Sequence, residues 1–383
     1  MARLKTDWIL FATILAMVCF GLVMVYSASS VVGELRYARL HWEPYHFIVR
    51  QLGWAAFSLL VLMYFKRLDY RRLNTPACAF SGLGIVLAAL VAVYFADPKS
   101  HRWFTISGIG SVQPSEFAKP ALILFLAYFL ARRSQVINQG RTLLQAGLAV
   151  AMVAFLVVVG DLGTAIVPVI TTVIVLWVAG LERRHMVRFV ALGVALAAVA
   201  VVAKPLRLGR VIRYVDKDYS LIGKIDTHGR IRAYVDSSPI RRDADYQPLQ
   251  SKIAVGSGGL LGLGLTQGRQ KLMFLPDAHT DFIYATVGEE LGLWGSTAVL
   301  VGFLVILWRG ARLFVLARDD FGKYLALAVT VAIVVQAFIN MSVVLDMGPT
   351  KGFPLPMISF GGSSLLSTLT CLGMLLSVGE HEG

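Results

Sequence analysis

Residues 271–308, KLMFLPDAHTDFIYATVGEELGLWGSTAVLVGFLVILW, pass from a polar segment directly into an apolar run that is long enough to cross a membrane. Asp281 lies at this junction, after His279 and Thr280 and immediately before the apolar run. A carboxylate at the mouth of a membrane helix is costly unless it is paired, hydrated or used in chemistry. The stretch therefore predicts a membrane helix that begins near residue 282, and it makes Asp281 a candidate functional residue.

The composition of the chain is that of a membrane protein. Hydrophobic residues make up 57% of the 383 residues, charged residues make up 15%, and the mean hydropathy is +0.69. A soluble globular protein of this length is less apolar. The formal net charge is +13, but the basic residues lie mostly between apolar runs. We therefore attribute them to membrane topology and anionic lipid head groups, and expect no nucleic acid partner.

The hydropathy pattern predicts an all-α polytopic membrane protein with about ten transmembrane helices. The first apolar run follows Arg3 and Lys5 and is longer than the core of a secretory signal, so we interpret it as an uncleaved helix. The predicted spans lie near residues 8–26, 46–65, 76–95, 115–131, 143–159, 162–180, 187–203, 282–308, 324–346 and 357–378.

Lysine and arginine counts in the short loops predict the orientation of these spans. The loops on one side carry 16 Lys and Arg residues, and the short loops on the other side carry 6. Both termini are therefore expected to be cytoplasmic. The chain then divides into helices 1–7 at residues 1–203, a large extracytoplasmic loop at 204–280, and helices 8–10 with a short cytoplasmic tail at 281–383.

Two features stand out within the large loop, which carries 13 Lys and Arg residues and 7 Asp residues. Residues 221–235 alternate around Asp226-Thr227-His228-Gly229, which predicts a short β-hairpin. Residues 256–268, GSGGLLGLGLTQG, contain six glycines outside any helical period. The backbone there is expected to turn sharply or to approach another group closely.

Three ionisable residues lie within or beside other apolar spans. Glu116 and Lys119 are three residues apart on a helix and so share a face, either as a self-neutralising buried pair or as a polar patch in which Lys119 meets a phosphate. Asp161 either caps the helix that follows it or contributes to the same polar site.

The residues around Asp281 indicate what it could do. Arg269 and Lys271 precede it closely, and this combination suits a general base beside an anionic leaving group. His279 either assists or forms an ordinary surface hydrogen bond, while Glu289 and Glu290 are either structural or pair with basic residues of the loop. The chain has no Walker loop, dinucleotide fingerprint, HExxH or GxSxG motif, so an enzyme of this sequence would use a substrate that is already activated.

Over essentially its whole length the chain resembles the SEDS family (shape, elongation, division and sporulation) of polytopic peptidoglycan polymerases. The motifs that carry the resemblance are MVYSAS at 24–29, QPSEFAK at 113–119, DLGTA at 161–165, QSKIAVGSGGLLGLGL at 250–265, LPDAHTDFIYATVGEELG at 275–292 and PTKGFPLPMISFGGSSLL at 349–366.

The resemblance is closer to the division type, FtsW, than to the elongation type, RodA. VGEE at 287–290 and PTKG at 349–352 are typical of the division type. The chain departs from the family pattern at Asp277, where Glu is common, and at Phe360, where Tyr is common. The segment 221–241 resembles an insertion in the large loop.

The resemblance implies glycosyl transfer between lipid II molecules at the outer face of the bacterial cytoplasmic membrane, in septal cell-wall synthesis. The essential aspartate of the family falls on Asp281, which would be the general base, and its polar cavity residues fall on Glu116, Lys119 and Asp161. Arg102, Lys119, Arg269 and Lys271 are the candidates for holding the undecaprenyl pyrophosphate, with His279 nearby. A divalent cation (Mg²⁺ or Mn²⁺) could share that task, and no metal cage is evident in the sequence.

The expected partners are lipid II and the growing lipid-linked glycan, a class B penicillin-binding protein that acts as transpeptidase, and other division proteins. Two other interpretations of the same residues stay open. In a lipid II flippase, Glu116, Lys119 and Asp161 would line a polar path through the membrane. In a non-catalytic division scaffold, the large loop would dock the transpeptidase.

Overall fold

The protein is almost entirely helical in the computed structural model, which describes residues 6–37, 45–98, 100–106, 110–216, 226, 233–234, 243–272, 274–349 and 352–381. The helices are α1 Trp8–Tyr37, α2 His46–Arg67, α3 Pro76–Ala96, α4 Pro114–Arg133, α5 Gly140–Gly160, α6 Leu162–Val178, α7 Arg183–Val202, α8 Pro205–Val215, α9 Asp243–Gly258, α10 Ile283–Leu316, α11 Asp320–Val344 and α12 Gly362–His381. Two short strands, β1 Phe104–Ile106 and β2 Gly110–Val112, pair antiparallel.

The ten predicted spans correspond to α1–α7 and α10–α12, so the chain is an all-α polytopic membrane protein. Within the described residues, nine of these helices are long and apolar enough to cross a membrane, and α6 is apolar but slightly shorter at 17 residues. The last span was predicted to start at residue 357, whereas α12 starts at Gly362. Pro354, Pro356 and the Gly361-Gly362 pair explain the difference, because proline and glycine disfavour the helix interior.

The helices of the bundle differ strongly in how much of their surface is buried. Most side chains of α4, α11 and α12 are buried, and these three helices form the centre of the core. None of the side chains of α7 is buried. Since α7 is apolar after its basic first turns, its exposed surface there is suited to lipid rather than to water.

The glycine-rich stretch after α9 packs against a break in α10. Gly292 interrupts α10 with φ +63°, a left-handed conformation that glycine adopts without steric cost. The backbone N–H groups of Leu263 and Gly264 donate to the carbonyls of Glu289 and Glu290, each at 3.0 Å. A Cβ atom on Gly258 or Gly262 would collide with the backbone of α10. The predicted close approach of this stretch is confirmed, and its partner is a helix backbone.

The segment 352–361 crosses the bundle without helical structure, between α2 and the start of α10. The side-chain amide of Gln51 on α2 forms two hydrogen bonds with the backbone of this segment: it donates to the Ser359 carbonyl at 3.3 Å and accepts from the Gly361 N–H at 3.2 Å. Ser359 Oγ in turn donates to the carbonyl of Thr280 at 2.5 Å. The segment is therefore tied to the residues that precede Asp281. We call the end of the bundle that carries Asp281 the Asp281 face.

The opposite end of the bundle holds the first and last described residues. Asp7 accepts from Arg309 Nε at 2.8 Å, and Lys66 lies 3.5 Å from Glu380. Thr6 also contacts Glu380 at 3.4 Å. Both ends of the described chain therefore lie on the face opposite Asp281, as an even number of spans requires.

The observed hairpin is not the one that the sequence pattern predicted. β1 and β2 lie between α3 and α4, in register Phe104 with Val112 and Ile106 with Gly110. The predicted hairpin at residues 221–235 falls outside the described residues except for positions 226, 233 and 234, the last two of which are helical. That prediction stays a prediction.

Candidate functional site

Asp281 is held at the start of α10 by contacts to its backbone. The carbonyl of Asp277, a residue with φ +55°, accepts from the N–H groups of Thr280, Asp281 and Phe282 at 3.1, 3.1 and 3.3 Å. The carbonyl of Asp281 accepts from Asn340 Nδ2 at 2.9 Å. Phe282 is the N-cap residue of α10, and no side chain caps that position. Asp281 therefore does not serve as the cap of α10.

Asn340 joins Asp281 to the segment 352–361. It lies on α11, is 3% exposed, and its Nδ2 donates to the Phe353 carbonyl at 2.8 Å as well as to Asp281. Gly352 is adjacent, because a Cβ atom there would lie 2.7 Å from Cγ of Asp281 and closer still to Oδ2. The carboxylate of Asp281 thus lies directly against the backbone at residue 352. The sequence analysis missed Asn340, since one polar residue in an apolar span gives no signal of its own.

The side chain of Asp281 faces a cavity of about 320 Å³ that opens on the Asp281 face. The charged residues that line it are Arg102, Arg210, Asp277 and Asp281, beside aromatic side chains that include Trp103 and Phe360. The Nε atoms of Arg102 and Arg210 are buried and form no hydrogen bond with any residue that the structure describes. The cavity therefore brings a carboxylate together with two guanidinium groups, which are side chains that bind anions through paired N–H donors.

Arg102 is oriented by Asp161. Its Nη2 donates to Asp161 Oδ2, and Asp161 is 2% exposed. The other carboxylate oxygen of Asp161 accepts from the Gly163 N–H at 2.9 Å and so caps α6. Asp161 is therefore a helix cap that also contacts the cavity residue Arg102, and its expected role in substrate binding stays a prediction.

The loop that carries Arg102 is ordered by Asp97. The Asp97 carboxylate accepts from the side chain and backbone N–H of Ser100 and from the backbone N–H groups of Arg102 and Trp103. The hydrogen bonds from Ser100 are the main reason why the pKa of Asp97 lies below its ordinary value. Asp97 therefore stays ionised and keeps its acceptors available to the loop.

Arg210, which lines the cavity, is a functional candidate that the sequence analysis missed, and Arg207 anchors the helix that carries it. They lie three residues apart on α8, and Arg207 donates to the carbonyls of Val158 and Ala200 at 2.8 and 3.2 Å. Burial lowers the pKa of the Arg210 guanidinium, while the nearby Asp161 and Asp281 carboxylates act in the opposite direction. An arginine nonetheless stays charged at neutral pH. The i, i+3 spacing on α8 is the signal that would have revealed the pair.

Glu116 and Lys119 form the floor beneath this cavity. Lys119 Nζ donates to Glu116 Oε2 and to Gln336 Oε1, each at 2.7 Å. Gln336 Nε2 donates onward to the Pro354 carbonyl at 2.8 Å. The adjacent space measures about 10 Å³ and shares Thr164 and Phe353 with the larger cavity. The pair is self-neutralising and buried, as one of the two alternatives predicted, and it is linked to the site through Gln336.

Lys271, Arg269 and His279 lie outside the lining of the Asp281 cavity. Lys271 is 3% exposed, and its Nζ donates to Glu290 Oε1 at 2.7 Å and to Ser27 Oγ at 3.2 Å. Arg269 is exposed, and its backbone N–H donates to Glu289 at 2.7 Å. His279 contacts the rings of Phe47 and Phe360. The structure thus does not bring Lys271 to the pyrophosphate position expected from the sequence, because its charge is committed to Glu290.

Among the described residues, no three His, Cys, Asp or Glu side chains are grouped in a way that could hold a metal ion. Asp277 and Asp281 are the carboxylates that line the cavity. A divalent cation bound there would thus take most of its oxygen ligands from substrate and water.

Comparison with known proteins finds relatives along the whole chain. The family model FTSW_RODA_SPOVE, described as a cell cycle protein, matches residues 7–383. The probable peptidoglycan glycosyltransferase FtsW of Geobacter metallireducens is 34% identical over 384 residues, which cover 98% of this chain and 94% of that protein. Stage V sporulation protein E of Bacillus subtilis is 34% identical over 388 residues, which cover 99% and 98%.

Solved structures share the fold. A chain of a peptidoglycan synthase complex, studied for its structural coordination of polymerization and crosslinking, superposes with a TM-score of 0.70 and is 24% identical, with 99% of both chains covered. The rod shape determining protein RodA of Thermus thermophilus gives a TM-score of 0.65 at 24% identity, with 98% of this chain and 97% of that chain covered.

Proposed function

Because the chain belongs to the FTSW_RODA_SPOVE family of cell cycle proteins, we propose that it is a peptidoglycan glycosyltransferase that polymerises lipid II into β-1,4-linked glycan strands. The observation that carries the proposal is the open cavity in which the Asp281 carboxylate lies with the guanidinium groups of Arg102 and Arg210. A base beside an anion-binding pair is what transfer from a pyrophosphate-linked donor requires.

In the proposed reaction Asp281 removes the proton from the 4-hydroxyl of the acceptor GlcNAc. That oxygen attacks the anomeric carbon of the donor MurNAc as the bond from this carbon to the pyrophosphate oxygen breaks. The bonding electrons leave with undecaprenyl pyrophosphate, and in-line attack converts the α-linked donor into a β-1,4 linkage. The proton on Asp281 then passes to water, which reaches the cavity through its opening.

Arg102 and Arg210 are the residues that we assign to the leaving pyrophosphate. Both side chains line the cavity beside Asp281, which supports this role, since guanidinium groups bind phosphate oxygens through paired N–H donors. Asp161 holds Arg102 in place, and Lys119 with Glu116 supports the segment at Pro354 through Gln336. We assign Lys271 a structural role, because moving it to the cavity would leave Glu290 buried without its cation.

The proposal extends to the cellular setting. The Asp281 face would be extracytoplasmic, with both termini in the cytoplasm, in a multi-pass protein of the bacterial cytoplasmic membrane that works at the division septum. A class B penicillin-binding protein would crosslink the strands. Asp277 and Asp281 are the residues that would hold a divalent cation here, and the cation would supply positive charge to offset that of the leaving pyrophosphate.

The test is polymerisation by the purified protein together with its cognate transpeptidase, with lipid II as substrate and glycan strands resolved by gel electrophoresis. The wild type and the control Asp320→Asn should both form strands, because Asp320 is an exposed carboxylate on the opposite face. Asp281→Ala should form none while retaining its partner and its melting temperature. A wild-type protein that binds its partner and forms no strands would overturn the proposal.

The same preparations distinguish the flippase. In proteoliposomes that contain fluorescent lipid II, a flippase would move lipid across the bilayer in the Asp281→Ala variant as fast as in the wild type. Loss of movement in Lys119→Met, in a protein whose wild type moves lipid II and forms no strands, would point to transport rather than synthesis. A scaffold would tolerate both substitutions.

A further inference from the structure

An exposed apolar surface surrounds the break in α10. It consists of four leucines from the glycine-rich turn and two residues from α10, which we call the leucine surface: Leu260, Leu261, Leu263, Leu265, Leu293 and Trp294. Leu261 is 81% exposed and Trp294 is 72% exposed. A continuous apolar surface of this kind indicates an apolar environment.

The backbone hydrogen bonds beneath the leucine surface are exchanged between the helix and the turn. In an uninterrupted helix the N–H groups of Leu293 and Trp294 would donate to the carbonyls of Glu289 and Glu290. Here those N–H groups donate to the carbonyls of Gly259 and Leu260, at 3.0 and 3.5 Å, and the freed carbonyls accept from Leu263 and Gly264. The break in α10 therefore leaves none of these groups unsatisfied, which is the condition for irregular backbone at membrane depth.

The charged groups of the segment are also removed from its surface. Lys271 and Glu290 neutralise each other, with 2% and 0% of their side chains exposed. Glu289 is 1% exposed and accepts from the backbone N–H groups of Arg269 and Gln270. In water, exposing leucines while burying Lys271, Glu289 and Glu290 would cost free energy, because the apolar surface stays hydrated and the charges lose their hydration. Arg269 is exposed in the segment that follows the glycine-rich turn, and its long side chain can reach the lipid head groups.

The position of the break along α10 indicates the depth of the turn. Gly292 lies nine residues after Ile283, so the break is about 13 Å along the axis from the start of the helix at 1.5 Å per residue. One leaflet contributes about 15 Å of hydrocarbon. A helix that starts near the membrane surface thus places the turn within the acyl chains.

We propose that residues 259–265 form a re-entrant turn immersed in the acyl chains of the leaflet on the Asp281 face. α9 leads into the membrane, and residues 266–281 return to the surface at Asp281. The leucine surface continues onto the lipid-facing side of α10, which includes the exposed Val301 and Leu304. The continuity of the leucine surface with this side of α10 favours lipid over a partner helix or a second copy of the chain.

The test measures the environment of a nitroxide at position 261. The label is attached to Leu261→Cys after the free cysteines Cys19, Cys78 and Cys371 are replaced by alanine, and the protein is reconstituted into phosphatidylethanolamine–phosphatidylglycerol vesicles. Electron paramagnetic resonance then compares collisions with oxygen, which concentrates in hydrocarbon, and with a water-soluble nickel chelate. Leu196→Cys on α7 provides the lipid reference, and Ser100→Cys in the exposed α3–β1 loop provides the water reference.

The proposal predicts an oxygen-to-nickel accessibility ratio at position 261 that matches the Leu196 reference and exceeds the Ser100 reference at least tenfold. A ratio that matches Ser100 overturns it. Low accessibility to both reagents that rises when the protein is diluted in lipid would identify a second copy as the occupant and would also overturn it. Leu263→Cys repeats the measurement, and its agreement excludes a local effect of the first substitution. The result does not depend on glycosyl transfer.

Discussion

Gly352→Ala tests whether catalysis depends on the position of the Asp281 carboxylate. Gly352 has no positive φ, so alanine fits the backbone, but its Cβ would lie 2.7 Å from Cγ of Asp281. The Oδ2 atom would lie closer still, and ordinary contact begins at 3.4–4 Å, so the carboxyl group must move by at least about 1 Å. A misplacement of about 1 Å can reduce a rate roughly 100-fold. We therefore expect the initial rate of glycan formation from lipid II to fall about 100-fold.

The control for this prediction is Gly348→Ala. Gly348 precedes the same segment, also has no positive φ, and a Cβ there would meet nothing within 4 Å. It should polymerise lipid II at the wild-type rate. Both variants should melt near the wild-type temperature in detergent, because Asp281 is only half-buried and its side chain can rotate. A Gly352→Ala protein that polymerises as fast as Gly348→Ala would refute the reasoning, since the carboxylate would then need no fixed position.

Two further substitutions test the supports of the site. Asn340→Leu is nearly isosteric and removes the N–H donors to the carbonyls of Asp281 and Phe353. We expect the rate of polymerisation in single-turnover assays to fall more than tenfold, and denaturant titrations to show a loss of about 1–3 kcal/mol of stability per unsatisfied carbonyl. An unchanged rate would remove Asn340 from the site. Glu290→Gln leaves Lys271 buried without its anion and should destabilise the protein by roughly 3–5 kcal/mol. The double variant Lys271→Met, Glu290→Leu should recover most of that loss, and a single variant of wild-type stability would contradict the pairing.

The membrane helices could be predicted from the sequence because hydropathy is a local property. Each span carries its own apolar run, and even the polar fourth span was found, although Glu116 and Lys119 lie in its first turns. Helical spacing alone placed these two residues on one face, and the structure joins them at 2.7 Å. The junction between the polar segment and the apolar run at Asp281 could likewise be identified, since a carboxylate beside an apolar run is rare.

The partners of the site could not be predicted, since they depend on contacts between distant segments. Asn340 and Gln336 are ordinary amides in an apolar helix until the segment at Phe353 and Pro354 packs against them. Lys271 illustrates the opposite error. Its positive charge near Asp281 suggested phosphate binding, but charge alone does not reveal that Glu290, 19 residues later, lies within 2.7 Å.

The arrangement of the polar residues favours synthesis at one face over transport across the bundle. A flippase needs a polar path through the membrane, which Glu116, Lys119 and Asp161 were expected to line. In the described part of the bundle Asp161 bonds to Arg102 and to the Gly163 N–H, while Lys119 bonds to Glu116 and Gln336. The space beside Lys119 is about 10 Å³, which is close to the volume of one water-sized probe. Above this layer, the cavity of about 320 Å³ opens on the Asp281 face. Transport would have to break the Lys119 hydrogen bonds in a low-dielectric interior, where an unpaired charge is most costly. Glycosyl transfer in the cavity requires no such change, because these hydrogen bonds can stay intact beneath it.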